Sequence, residues 1–213
     1  MRLMGNLVLI GDIVNSRRLA ERGLVQKRFK AACQQVNERR KDYKVASPLM
    51  VTLGDEFQGV LSSPQALWRV ISTLELALFE ICQLRFSVGV GEISTALNSR
   101  SSLGMDGPAF YLAREGIEAL RRRDGLYAVT GLTDGQRLVQ YALDLWAANR
   151  RKWNYNRMYT FNRLLHGESV PDIAAELDLT EQAVYRTRRD GELDTVIGLL
   201  QEISALMARE IQP

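Results

Sequence analysis

The stretch LMVTLGDEFQGVL, from Leu49 to Leu61, sets two short β-prone runs on either side of Gly54-Asp55. Leu49–Leu53 and Glu56–Leu61 therefore read as two strands of a hairpin closed by a Gly-Asp turn. Upstream, NLVLIGDI (Asn6–Ile13) is a continuous apolar run, the pattern of a strand buried at the centre of a sheet. Leu24–Lys41 then places Phe29, Cys33 and Val36 at helical spacing. Downstream, Pro64–Gln83 carries Leu67, Val70, Ile71, Leu74, Leu78 and Ile81 on one helical face, with Ser62 and Ser63 ahead of a proline start. Arg85–Glu92 (RFSVGVGE) reads as a strand, Pro108–Arg123 as a helix and Leu126–Thr130 as a last strand.

The order β-α-β-β-α-β, followed by a further α-β, is the split βαβ or ferredoxin-like pattern of an α+β domain. It predicts a hairpin in the sheet centre and helices on one face. From Thr133 onward only helices are readable: Asp134–Lys152, Asn154–His166, Val170–Leu177, Thr180–Arg189 and Asp194–Ile211. The shift near residue 132 predicts a domain over 1–132 and an all-α domain over 133–213.

Composition narrows the function. The 213 residues are 46% hydrophobic and 25% charged, as in an ordinary globular protein, which excludes wholesale disorder and a disulfide scaffold. Cys33 and Cys82 lack metal-ligand spacing, so a reducing, cytoplasmic setting is expected. Glu75 and Glu80 interrupt the longest apolar run, which predicts no membrane span, and Met1–Leu9 is too short and strand-like for a signal peptide. The net charge of +3 is uneven: residues 1–140 carry 19 Lys and Arg against 14 Asp and Glu, while the remainder is slightly acidic. That excess favours anionic ligands weakly and does not by itself make a nucleic-acid-binding chain.

Two carboxylates stand out. Asp12 ends the first strand in GDIVNSR, and Asp55 sits in the hairpin turn. If that strand lies beside the hairpin, both converge at one sheet edge, where paired hard oxygen ligands suit Mg²⁺ or Mn²⁺ shared with substrate phosphates. Asn15 and Ser16 follow directly, and a helix start there would turn backbone N–H groups toward a polyphosphate. Either aspartate alone is equally a turn former or a helix cap; the pair carries the metal reading. The Arg121–Arg123 run closes a helix and reads as a solvated cap complementing the helix C-terminus. His166 reads as a helix end, and the aromatic Trp153–Tyr159 segment as packing.

The C-terminal stretch GESVPDIAAELDLTEQAVYRTRRDGEL has helix-turn-helix spacing. Ile173, Leu177, Leu179 and Val184 would form its core, with Ala174 at the helix crossing and Asp178 in the left-handed turn position. Thr180 would cap the second helix, whose exposed face offers Gln182, Tyr185, Arg186, Arg188 and Arg189 to DNA bases and phosphates. A helical bundle used for dimer contacts fits the same residues.

Together, GDIVNS, GDEF, RFSVGVGEI and DGPAFYLARE resemble the palm domain shared by class III nucleotidyl cyclases and GGDEF-type diguanylate cyclases, over about residues 5–130. With the helix-turn-helix tail, the whole chain resembles the SatD family. The resemblance implies that Asp12 and Asp55 hold metal ions assisted by the Ile13 carbonyl, that Glu56 stands beside the metal, and that Arg114 is the catalytic arginine steadying transition-state charge. It also implies a homodimer. The chain departs from the cyclase pattern at Val51, where a base-reading Lys is usual, at Phe110, where an Asn is usual, and at Leu53-Gly54, where the diguanylate signature has Gly-Gly. Three readings follow. The chain is a DNA-binding regulator sensing a nucleoside triphosphate or cyclic nucleotide with Mg²⁺ or Mn²⁺, a divergent nucleotidyl cyclase or nucleotidyltransferase, or a structural adaptor binding neither.

Overall fold

The computed structural model describes residues 6–52 and 54–211; Leu53, expected to end the first hairpin strand, and the first five residues of Met1–Leu9 lie outside them. Five strands form one sheet: β1 (Asn6–Ile13), β2 (Val45–Val51), β3 (Glu56–Leu61), β4 (Leu84–Gly91) and β5 (Tyr127–Thr130). Their spatial order is β2-β3-β1-β4-β5. The strands pair antiparallel except β4 with β5, which run parallel. So β1 and β2, joined by α1 (Arg22–Glu38), lie either side of β3. Likewise β3 and β4, joined by α2 (Pro64–Ala77), lie either side of β1. The first expected strand of the hairpin starts four residues earlier than its apolar run, at Val45, and the hairpin lies not at the sheet centre as expected but with β2 on the sheet edge, where Pro48 is tolerated.

Helices cover both faces, not one as the element order suggested. Because β4 and β5 are parallel neighbours, the chain between them must cross a face. It does so with α3 (Pro108–Arg123) on the face left open by α1 and α2. Val8, Ile10 and Val60 point to Ala109, Ala113, Ile117 and Leu120 of α3, while Leu7, Leu9, Phe57 and Phe86 point to α1 and α2. This explains why β1 reads as a continuous apolar run rather than an alternation. The α3 backbone lies almost against β4: a Cβ on Gly89 would stand 2.0 Å from the Ala109 carbonyl oxygen and 2.6 Å from the Ala113 nitrogen. Glycine at that point sets the depth at which α3 sits over the sheet.

The helices after Thr130 are α4 (Gln136–Arg150), α5 (Tyr155–Leu165), α6 (Val170–Glu176), α7 (Glu181–Asp190) and α8 (Leu193–Ile211). Three of them share the sheet's core: α4, α5 and α8 join the apolar cluster containing α1, α2 and the inner sheet face. Trp146 stacks on Tyr127 at 3.9 Å between ring centroids and meets Trp68 edge-on. The Trp68 indole N–H donates to the Leu200 carbonyl and Ser204 hydroxyl of α8. Trp153 is buried against Phe161, so the aromatic segment packs. The core thus runs unbroken across residue 132.

Inside that core lies an ionic triad. Glu75 Oε1 accepts from the Tyr127 hydroxyl at 2.6 Å and stands 3.3 Å from Arg150 Nε, an ionic contact outside hydrogen-bond angles. The Arg150 guanidinium also lies over the Phe79 and Trp153 rings.

α6 and α7 keep a small core of their own: Val170, Ile173, Ala174 and Val184, with Tyr159, Leu164 and Leu177 packed on it. The Leu179 N–H bonds back to the Ala174 carbonyl, and Asp178 adopts φ 54°. This left-handed cap closes α6. It also turns Leu179 outward, so that expected core position is 36% exposed. Among the described residues no helix is long and apolar enough to cross a membrane.

Candidate functional site

Asp12 and Glu56 are directly paired across β1 and β3, and Arg85 of β4 is paired with Asp12 on the other side. These three residues occupy the α3 side of the sheet, at the end where β1 finishes and β3 and β4 begin. Asp55 sits one residue further out, its carbonyl accepting from the Ile13 N–H at 2.9 Å. The two aspartates expected to converge do so.

Two arginines of α3, seven residues apart and so on one helical face, close over the carboxylates. Arg114 donates to Glu56 Oε2 at 2.6 Å. Arg121 bridges, donating from Nε to Asp12 Oδ2 at 3.1 Å and from Nη2 to Glu56 Oε2 at 2.9 Å. The side chains of Asp12 and Glu56 are only 7% and 2% exposed, whereas Arg121 keeps one edge in water, where it also meets Glu118. Arg121 is therefore no solvated cap: the last turn of α3 overlies the end of β1, so a C-terminal arginine finds buried acids within reach. Arg123 does lie outward, paired with Asp144. Arg85 is buried beside Asp12 at 3.8 Å, and its Nε has no hydrogen-bond partner among the described residues.

Burial pushes the Asp12 carboxyl above its ordinary pKa of 3.8. Arg121 and Arg85 pull it down, and the nearby Asp55 charge adds to the rise. Burial also lowers Arg85, while the Asp12 contact raises Arg121. Three carboxylates face three guanidiniums, and the balance makes so dense a charge cluster tolerable.

The loop after β1 differs from its expectation. No α-helix starts there; Ser16–Arg18 form a single 3₁₀ turn and α1 begins at Arg22. Asn15 is exposed with φ 53° and ψ 34°, and the right-handed turn follows immediately. A left-to-right succession of this kind turns successive backbone N–H groups to one side, a different device from a helix N-terminus. The Ser16 hydroxyl donates to Asp55 Oδ2 at 2.5 Å, which fixes that carboxylate.

Of the carboxylates at this edge, Asp12 and Asp55 are the pair that would hold a divalent cation. Asp12 Oδ1 and Asp55 Oδ1 have no hydrogen bond among the described residues. The mutual repulsion of the two carboxylates is what a cation between them would relieve. No group of three or more His, Cys, Asp or Glu suited to a metal occurs among the described residues. Remaining ligands would be a phosphate and water, as Mg²⁺ prefers. Phe110 is buried in the α3 core, and Val51 is half-buried at the end of β2, so neither offers a polar side chain to a ligand.

On α7, Thr180 caps the helix by accepting from the Ala183 N–H. Gln182, Tyr185, Arg186 and Arg189 are exposed. Arg188 is held to both carboxylate oxygens of Asp194 at 2.8 and 2.9 Å, and Arg189 pairs with Asp190. Arg186 has no carboxylate partner among the described residues.

Comparison with known proteins gives the following. No curated protein matches the chain. Two solved structures of bacterial light-regulated adenylyl cyclases are similar at 16% and 15% identity, each with a TM-score of 0.42. The first match covers 61% of this chain and 77% of the cyclase, the second 60% and 43%. The SatD family model matches residues 6–183, most of the chain, and the protein belongs to the SatD family.

Proposed function

We propose that this protein is a DNA-binding regulator whose ferredoxin-like, cyclase-type palm binds a nucleoside triphosphate or cyclic nucleotide together with Mg²⁺ or Mn²⁺. The observation that carries the reading is the convergence of Asp12 and Asp55 beside the Asn15–Ser16 turn. Two carboxylates would hold the cation, and the turn's N–H groups with Arg17 and Arg18 would meet the phosphates. The Ile13 carbonyl is a further oxygen at the same edge. Glu56 is committed to Arg114 and Arg121, so it orients arginines rather than ligating metal.

The palm reading is tested by thermal unfolding with nucleoside triphosphates and cyclic dinucleotides, each with Mg²⁺ or Mn²⁺. A bound ligand at about a hundred times its dissociation constant adds about 2.7 kcal/mol. We expect a metal-dependent rise in melting temperature that Asp12→Asn abolishes. A rise that persists in Asp12→Asn overturns the metal assignment.

For the second half of the reading, α6 and α7 act as a helix-turn-helix with α7 presented to the major groove. Gln182, Tyr185 and Arg186 are the free contacts there, and Thr180 fixes the helix start. Arg188 and Arg189 need to leave Asp194 and Asp190 before they touch phosphate. Arg186→Ala is expected to weaken binding to genomic DNA fragments and to reduce the log–log salt slope by about 0.9 if the contact is to phosphate. DNA binding that is absent or independent of salt sinks the regulator reading. A second reading, a divergent nucleotidyl cyclase or nucleotidyltransferase, draws on Arg114 and Arg121. Two guanidiniums beside the metal pair are suited to the charge that develops in phosphoryl transfer. Product analysis with Mn²⁺ decides it: turnover must be lost in Asp12→Asn.

A further inference from the structure

On the α1 and α2 side of the sheet, away from the α3 side that bears Asp12, a cleft of about 880 Å³ opens between α1, α2 and α5. Its floor is a chain of hydrogen bonds joining residues far apart in sequence. The His166 ring Nδ1 contacts the Asn162 carbonyl at 2.8 Å; since a carbonyl only accepts, Nδ1 carries the proton and Nε2 is an acceptor. Nε2 therefore accepts a hydrogen bond from the Tyr43 hydroxyl at 3.3 Å. Tyr43 in turn accepts from Thr73 at 3.1 Å, and Thr73 accepts from the Asn162 amide at 3.3 Å. The ring closes on itself and holds the imidazole rigidly at the base of the cleft.

Charge collects at one end. Asp42 gathers two guanidiniums: its carboxylate accepts from Arg39 Nε at 3.1 Å, and its backbone carbonyl accepts from Arg69 Nη2 at 3.1 Å. Arg39 also lies over the Tyr43 ring. Arg69 has no carboxylate within ion-pair distance among the described residues, so its charge is left uncompensated. Leu76, Phe79 and Ile81, partly buried against the core, supply apolar lining, with Glu80 between the last two.

We propose that this cleft is a binding site for a small organic anion. Its oxyacid headgroup engages Arg39 and Arg69 above His166, and its apolar body lies on Leu76, Phe79 and Ile81. A planar fork of donors on two adjacent guanidiniums is suited to phosphate or carboxylate oxygens. The site is independent of the Asp12–Asp55 edge. α2 and α5 both line the cleft and are already joined beneath it by the Asn162 amide, which donates to Ser72 and Thr73.

The imidazole also reports on occupancy. Burial lowers the His166 pKa below 6.5, and the charges of Arg69 and Arg39 lower it further, against the Asn162 carbonyl and Glu168. Arg28, Asp42, Glu80 and Arg163 are the other charged groups lining the cleft. An anion on the two arginines offsets their charge and raises the midpoint.

His166 is the protein's one histidine, so its ring-proton NMR signal in the untagged full chain needs no assignment. Phenyl phosphate, inorganic phosphate and phenol are the probes. We expect saturable shifts with phenyl phosphate, weaker ones with inorganic phosphate, none with phenol, and an upward move of the His166 midpoint when phenyl phosphate is bound. Arg69→Gln and Arg39→Gln, both at solvent-reachable positions, should each weaken phenyl phosphate by about tenfold, which corresponds to about 1.4 kcal/mol. Asp12→Asn should leave the binding unchanged, which separates this site from the nucleotide site. A His166 signal that ignores phenyl phosphate at millimolar concentration overturns the proposal. So does a shift equally strong in both arginine variants.

Discussion

Replacing Arg150 with Met is expected to lower the unfolding free energy at pH 7 by about 3–5 kcal/mol, read from urea denaturation. Glu75 and Arg150 have side chains only 4% and 11% exposed, so removing the guanidinium strands a carboxylate in the core. One of its oxygens already lacks a partner among the described residues, and Tyr127 alone then serves the other. Burial raises the Glu75 pKa above 4.5, opposed by Arg150 and the Tyr127 hydroxyl. A carboxyl raised on folding binds its proton more tightly in the native state. Its favourable contribution is complete below pH 4.5 and declines as pH climbs toward the folded-state value. Loss of Arg150 raises that value further. The variant should therefore approach wild type in acid and fall away from it above pH 4.5. Adding Glu75→Gln to Arg150→Met should recover part of the loss; a double variant no better than the single one would mean that Arg150 acts through packing on Phe79 and Trp153 alone.

Replacing Arg121 with Gln should have the second largest effect. Asp12 and Glu56 lose their shared partner, and stability should fall by about 2 kcal/mol; water reaches Arg121, and Arg85 and Arg114 remain, so the loss is smaller than in the core. The distinctive readout is metal. With the bridging cation removed, Mn²⁺ alone should raise the melting temperature of the variant more than that of wild type. If Arg121→Gln destabilises the fold without gaining a response to Mn²⁺, then Arg121 is not occupying charge space that a metal can use.

What the sequence made legible follows from where the signals are local. The hairpin around Gly54-Asp55, the proline starts of α2 and α3, and the Thr180 cap all depend on a few adjacent residues, and each is present in the structure. Asp12 and Asp55 were recoverable because each sits at a strand end. The place of Arg121 is not legible in the sequence, because it depends on how far α3 travels over the sheet, and that depth is set by the bare Gly89 at a distant point. The seven-residue spacing of Arg114 and Arg121 was the available signal, since it places both on the face of α3 that meets the buried acids. The triad Glu75, Tyr127 and Arg150 comes from three separate elements and left no trace in spacing. The helix-bearing second face of the sheet was implied by the unbroken apolar run of β1, which an open face would have interrupted with polar residues.

The separate little core under α6 and α7 sets a hierarchy of opening. Four buried residues hold this pair, against the long cluster shared by the sheet and five helices, so the pair can detach locally at a small fraction of the global cost. Positive-φ residues, Gly167 before it and Glu192 after it, break the helical path at its two ends. A local opening of this kind would release α6 and α7 from Tyr159 and Arg163 of α5 while the carboxylate edge stays within the larger cluster.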